Sequence, residues 1–102
     1  MKVTFTSDGW ADYISWVTER RVLQRINRMI EEAARDPGVG IGKPERLSHH
    51  LSGYWSRRIT DEHRLVYQFR EDELVVVQAR YHYGCARLVD ASREMSGRDE
   101  MS

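Results

Sequence analysis

The chain has 102 residues, enough for one small domain and too few for an enzyme with a separate cofactor module. Hydrophobic residues make up 40% and charged residues 31%, with 16 basic against 16 acidic side chains, which excludes disordered, collagen-like and membrane-spanning chains. The single cysteine, Cys85, excludes an internal disulfide framework, and the opening MKVTFTSDGW holds no apolar run of secretory length, so a reducing, cytoplasmic setting is expected.

Residues 2–6 alternate, with Val3 and Phe5 opposite Lys2, Thr4 and Thr6, and predict a short strand. Ser7 is expected to cap a helix with Asp8 and Asp12 near its start, in which Trp10, Tyr13, Ile14 and Val17 share a face at spacings of three and four. Glu19-Arg20-Arg21 interrupts that stripe, and a second helix follows with Val22, Ile26, Met29, Ile30 and Ala33 on its apolar side. Asp36-Pro37-Gly38 ends it, because the residue before a proline disfavours the helical conformation. Residues 38–53 are loop-like, broken by Gly38, Gly40, Gly42, Pro44 and Gly53. Three strands are predicted over 54–60, 64–70 and 74–83, separated by Asp61-Glu62-His63 and Glu71-Asp72-Glu73. The order β-α-α-β-β-β predicts an α+β fold, an antiparallel sheet with the N-terminal two-helix hairpin packed on one face. Residues 1–84 are expected to form the domain. Residues 85–102 thin from Leu88 and Val89 into charged and small side chains and are expected to be a mobile extension.

Strand parity assigns the faces. Trp55 and Ile59, Leu65, Tyr67 and Phe69, and Val75, Val77, Ala79 and Tyr81 form the core set. Aligning them requires an odd-numbered first hairpin loop. Arg58, Arg64, Arg80 and His82 then gather on the face away from the helices, with Gln68 among them. Arg57 is the misfit, a charge on the core side, and is expected at an edge.

Several short motifs fail on inspection. GVGIGKP (38–44) lacks the first glycine and the final Ser or Thr of a phosphate-binding loop. His49-His50 and the His82–Cys85 spacing close no tetrahedral metal site, so no metal and no cofactor are expected. Cys85 lies in the expected tail, a poor place for a catalytic thiol. Fourteen of the sixteen basic residues are Arg, all but Lys2 and Lys43, a bias that fits phosphate recognition and a GC-rich genome alike. The zero net charge argues against a general nucleic-acid coat protein. The constellation that remains is chemical. Cleaving RNA by internal attack needs a base for the 2′-hydroxyl proton, cations for the phosphorane and an acid for the departing 5′ oxygen; a Glu, arginines and a His could fill those roles, and an Arg-rich solvated face is the plain alternative.

The string GKPERLSHHLSGYWSRRITDEHRLVY (42–67), with RYHYG (80–84) and DGWADYISW (8–16), resembles the YoeB/Txe family of bacterial toxins in the RelE superfamily. The resemblance covers about the first 84 residues. It implies a RelE-like fold and a metal-independent endoribonuclease that enters the A site of the 70S ribosome and cuts mRNA. A cognate YefM-like antitoxin would hold it inactive, and the family resemblance also allows a homodimer. Carried over by position, Glu45 corresponds to the general base, Arg64 to the transition-state arginine and His82 to the general acid; Arg58 and Tyr83 correspond to RNA-binding residues. Two departures stand out: Ser48 replaces a common lysine, and the chain continues past Tyr83. The rival expectations are a toxin of the same fold that binds another target, such as DNA gyrase, and an inactive relative that titrates antitoxin.

Overall fold

The computed structural model describes residues 1–47 and 53–81. Strand β1 (Lys2–Phe5) leads into helix α1 (Ser7–Ile14), and the cap lies one residue earlier than expected. Thr6, extended at φ −74 and ψ 171, accepts the Gly9 amide on its hydroxyl at 3.0 Å, which satisfies one of the unpaired donors of the first turn.

The docking face of α1 also differs from the expected apolar stripe. Trp10 is 50% exposed, Ile14 45% and Val17, just past the helix, 63%, while Gly9 and Asp12 of the helix and Trp16 in the turn after it are buried. The reason is a close approach of helix to strand: a Cβ on Gly9 would meet the Val76 carbonyl oxygen at 2.2 Å. Polar groups then complete the contact. Asp12 accepts the Ala79 amide at 3.0 Å, and the Trp16 indole donates to the Ala79 carbonyl at 2.8 Å. Hydrophobic periodicity is blind to a helix seated on glycine and side-chain hydrogen bonds.

Helix α2 (Arg20–Arg35) behaves as its pattern predicts, burying Ile26, Met29, Ile30 and Ala33 and stopping at Asp36. Its apolar side packs on one face of a five-stranded sheet of order β1-β5-β4-β3-β2. Strands β3 (Tyr54–Arg58), β4 (Arg64–Arg70) and β5 (Glu73–Gln78) form the expected antiparallel meander. Strand β1 joins β5 in parallel, and a two-residue strand β2 (Glu45–Arg46) extends the other edge inside the segment expected to be loop. Two residues carry no periodicity, so only the tertiary pairing reveals β2.

Register confirms the parity of β3 and β4. Arg58 pairs with Arg64 across a loop of odd length, and Trp55 pairs with Tyr67. In β5 the expected phase holds only at its end. Tyr67 pairs with Val76 and Val66 with Gln78, so Val77 is an extra residue in a bulge. Before the bulge, Leu74 and Val76 face the core and Val75 pairs with Gln68 on the far side, the reverse of the expected set. The run Leu74-Val75-Val76-Val77 contains no polar residue to mark its phase.

Candidate functional site

Strands β2, β3 and β4 bring three candidate residues together on the face away from the helices. Glu45 pairs with Ser56 and Arg64 with Arg58, and directly opposed residues of antiparallel strands share a face. Arg64 Nη1 stands 3.5 Å from Glu45 Oε1 and donates to Ser56 Oγ at 3.2 Å. With Lys43, Pro44 and Arg58 they line a concavity of about 340 Å³. The Glu45 side chain is 62% exposed and that of Arg64 38%, so their ion pair is worth only about 0–1 kcal/mol and an incoming ligand displaces it at little expense. Three cations around one carboxylate suit a phosphodiester better than a neutral ligand.

The platform beneath this concavity is built by Arg57, the parity misfit. It does not sit at an edge: its guanidinium is fully buried. Nε donates to Tyr67 Oη at 2.8 Å, Nη1 to the Ile41 carbonyl at 3.1 Å, and Nη2 to the carbonyls of Asp36, Pro37 and Val39 at 3.2, 3.2 and 2.8 Å. Glu32 Oε1 lies 3.6 Å from Nη1. One side chain thus gathers the loop that runs from α2 to Lys43. Burial raises the Tyr67 hydroxyl above its ordinary value of 10.0, opposed by its bond to Arg57. The loop closes on β3 where the Arg58 amide donates to Gly42 at 2.6 Å. Gly42 has φ +88, and a Cβ there would meet Met29 Sδ at 2.7 Å. Lys43 adopts φ +50 without being glycine, so the backbone beside Glu45 is held in a sparsely populated conformation.

Beyond the end of β5, side chains replace ladder partners. Asp12 and Trp16 hold Ala79 as described, and His63 Nδ1 accepts the Tyr81 amide at 2.9 Å. Arg80 does not join Arg58 and Arg64 as expected. Its guanidinium lies 3.9 Å above the Trp16 ring and donates to Ser15 Oγ at 3.0 Å. The bulge and the departure of the chain from the sheet after Gln78 carry it to the helix side.

Glu45, Arg58 and Arg64 are therefore adjacent. His82 and Tyr83 lie outside the described residues, as do Ser48, His49, His50 and Cys85 and the whole of 85–102. Among the described residues no three His, Cys, Asp or Glu side chains group as metal ligands, and no helix is long and apolar enough to cross a membrane. Sequence reasoning missed two residues that shape the site. Lys43 gave no local signal. Arg57 did, because a charge at a core-facing position of a strand next to Tyr67 marks a buried hydrogen-bonded network.

Residues 5–83 match the family described as the YoeB-like toxin of bacterial type II toxin-antitoxin system. The Toxin YoeB of Streptomyces coelicolor is 62% identical over 84 residues, 81% of this chain and 100% of that protein. A solved structure, the YoeB/ParE toxin from Agrobacterium tumefaciens, is 46% identical with a TM-score of 0.76, covering 81% of this chain and 100% of that one. The toxin in the YoeB-YefM complex from Staphylococcus aureus is 35% identical with a TM-score of 0.75, covering 81% and 98%, and that toxin is also known as a dimer.

Proposed function

Because the chain belongs to the YoeB-like toxins of bacterial type II toxin-antitoxin systems, we propose that it is a ribosome-dependent mRNA endonuclease acting by internal attack. The observation that carries this reading is the juxtaposition of Glu45 and Arg64 at 3.5 Å, with Arg58 and Lys43 around the same concavity. Glu45 takes the 2′-hydroxyl proton of the nucleotide 5′ to the scissile phosphate, and the freed oxygen attacks phosphorus. Arg64 and Arg58 hold the charge that grows on the phosphoryl oxygens. His82 gives its proton to the departing 5′ oxygen, and Tyr83 holds the nucleotide. The products are a 2′,3′-cyclic phosphate and a 5′-hydroxyl, with one proton taken and one returned. Every group this step needs is a side chain of the protein. The exposed Glu45–Arg64 pair suits an enzyme whose substrate arrives already positioned, and the ribosome supplies that positioning.

The S. aureus relative is solved with YefM, and a YefM-like acidic, amphipathic segment fits the exposed arginines of this site, so a cognate antitoxin of that kind is the proposed inhibitor. Self-association as in the S. aureus dimer is proposed too, and a cytoplasmic location follows from the ribosomal target. The test adds the protein to translating ribosomes and maps mRNA 5′ ends by primer extension. New 5′ ends at A-site codons are expected. An intact message would remove the nuclease reading and leave gyrase binding or antitoxin titration.

A further inference from the structure

His63 lies in the turn between β3 and β4, with only 15% of its side chain exposed. It is tied in on three sides. Its Nδ1 accepts the Tyr81 amide at 2.9 Å, its ring meets Trp16 edge-on at 4.9 Å, and its Nε2 lies 3.7 Å from Glu62 Oε1. An imidazole that accepts on Nδ1 carries its hydrogen on Nε2, the nitrogen that faces Glu62. The bond to Tyr81 is made where the chain has already left the sheet, since β5 ends at Gln78. Among the described residues no strand ladder continues past Gln78, and Tyr81 immediately precedes His82 in the chain.

We propose that His63 is a positioning residue of the nuclease: by accepting the Tyr81 amide it sets the path of the backbone that delivers His82 and Tyr83. This inference rests on the proposed nuclease function and adds a residue to it. The turn DEH (61–63) thereby has a role beyond joining two strands, linking the β3–β4 hairpin to the carrier of the general acid. A misplacement of about 1 Å in a reacting group lowers rates by up to roughly 100-fold, so a lost anchor at Tyr81 is read in turnover before it is read in binding.

Two substitutions separate the acceptor from the ring. His63→Asn keeps an oxygen near the place of Nδ1 and loses most of the ring. His63→Phe keeps the ring against Trp16 and loses the acceptor. The full chain, wild type and both variants, is assayed on translating ribosomes with kcat and KM determined separately. Expected is a fall in kcat of roughly tenfold or more for His63→Phe with KM little changed, and near-wild-type turnover for His63→Asn. If Phe equals or exceeds Asn, or neither variant loses turnover, His63 acts only through packing or not at all, and the inference is overturned. Should His63→Phe fail to fold, the long-range proton–nitrogen spectrum of the wild type decides: an unprotonated Nδ1 at neutral pH supports the proposal, and a protonated one overturns it. A wild type that leaves the message intact refutes the nuclease reading itself and this inference with it.

Discussion

Arg57 Nε donates to the hydroxyl of Tyr67 at 2.8 Å, and that same hydroxyl donates onward to the Pro37 carbonyl at 2.8 Å. The pair couples the middle of the sheet to the loop that ends at Glu45. Arg58, the next residue along β3, points the other way and lines the concavity. One strand thus supplies the floor of the site with Arg57 and part of its charge with Arg58.

Removing the buried member should be severe. Arg57→Met takes the guanidinium away from Tyr67, Glu32 and four loop carbonyls, of which Asp36 keeps the Val39 amide and Pro37 the Tyr67 hydroxyl as donors, and breaking a buried ionic network from one side costs about 3–5 kcal/mol. Urea unfolding should show that loss, with Arg57→Lys intermediate because an ammonium has three donors and no fork. A loss under about 1 kcal/mol would mean that the network contributes little to the fold.

Glu32 links stability to pH. Its carboxylate accepts the Ile41 amide at 2.7 Å and Arg28 Nε at 3.0 Å, and these bonds, the Ile41 amide foremost, hold it below its ordinary 4.5. A carboxyl depressed in the folded state stabilises fully above its unfolded pKa and loses that contribution as pH falls through the folded value. Thermal midpoints measured at neutral pH and near pH ~3 should therefore converge more for Glu32→Gln than for wild type. Equal acid sensitivity of the two proteins would contradict this role.

The residues proposed to carry the chemistry should behave differently from the structural ones. Glu45→Gln and His82→Ala should each slow cleavage by roughly 10²–10⁴-fold. Because the Glu45–Arg64 pair is exposed, neither Glu45→Gln nor Arg64→Lys should shift stability by more than about 0.5 kcal/mol. Arg64→Lys should retain part of the activity, since the charge remains while the bidentate fork is lost. A 2′-deoxy nucleotide 5′ of the scissile bond should block cleavage. If that bond is still cut, water is the nucleophile.

The β4–β5 hairpin offers a stabilising change. Glu71 and Asp72 form its two-residue turn at φ 51 and 66, a conformation that Asn-Gly adopts with less strain. Replacing them by Asn and Gly should raise stability by about 0.5–1 kcal/mol, after the chain-entropy cost of glycine, as read by the urea midpoint. An unchanged or lower midpoint would show that the native side chains compensate.

The family match ends at residue 83, and the last ten residues, REMSGRDEMS, hold only two large apolar side chains, Met95 and Met101. Deleting residues 93–102 should leave the thermal midpoint nearly unchanged. A drop of several degrees would place the domain boundary further along the chain.

The sequence by itself determined α2, the meander and the shared face of Arg58 and Arg64, because each follows from a local period of 3.6 or 2 that burial enforces. It also carried Glu45, through a resemblance spread over consecutive residues of the loop and the strands that follow. Tertiary structure decided the rest. The seating of α1 on Gly9, the bulge at Val77 and the diversion of Arg80 onto Trp16 depend on what one element meets across space. Arg57 shows the difference most clearly: parity marked it as inward, but only the folded loop supplies the carbonyls that make a buried guanidinium favourable.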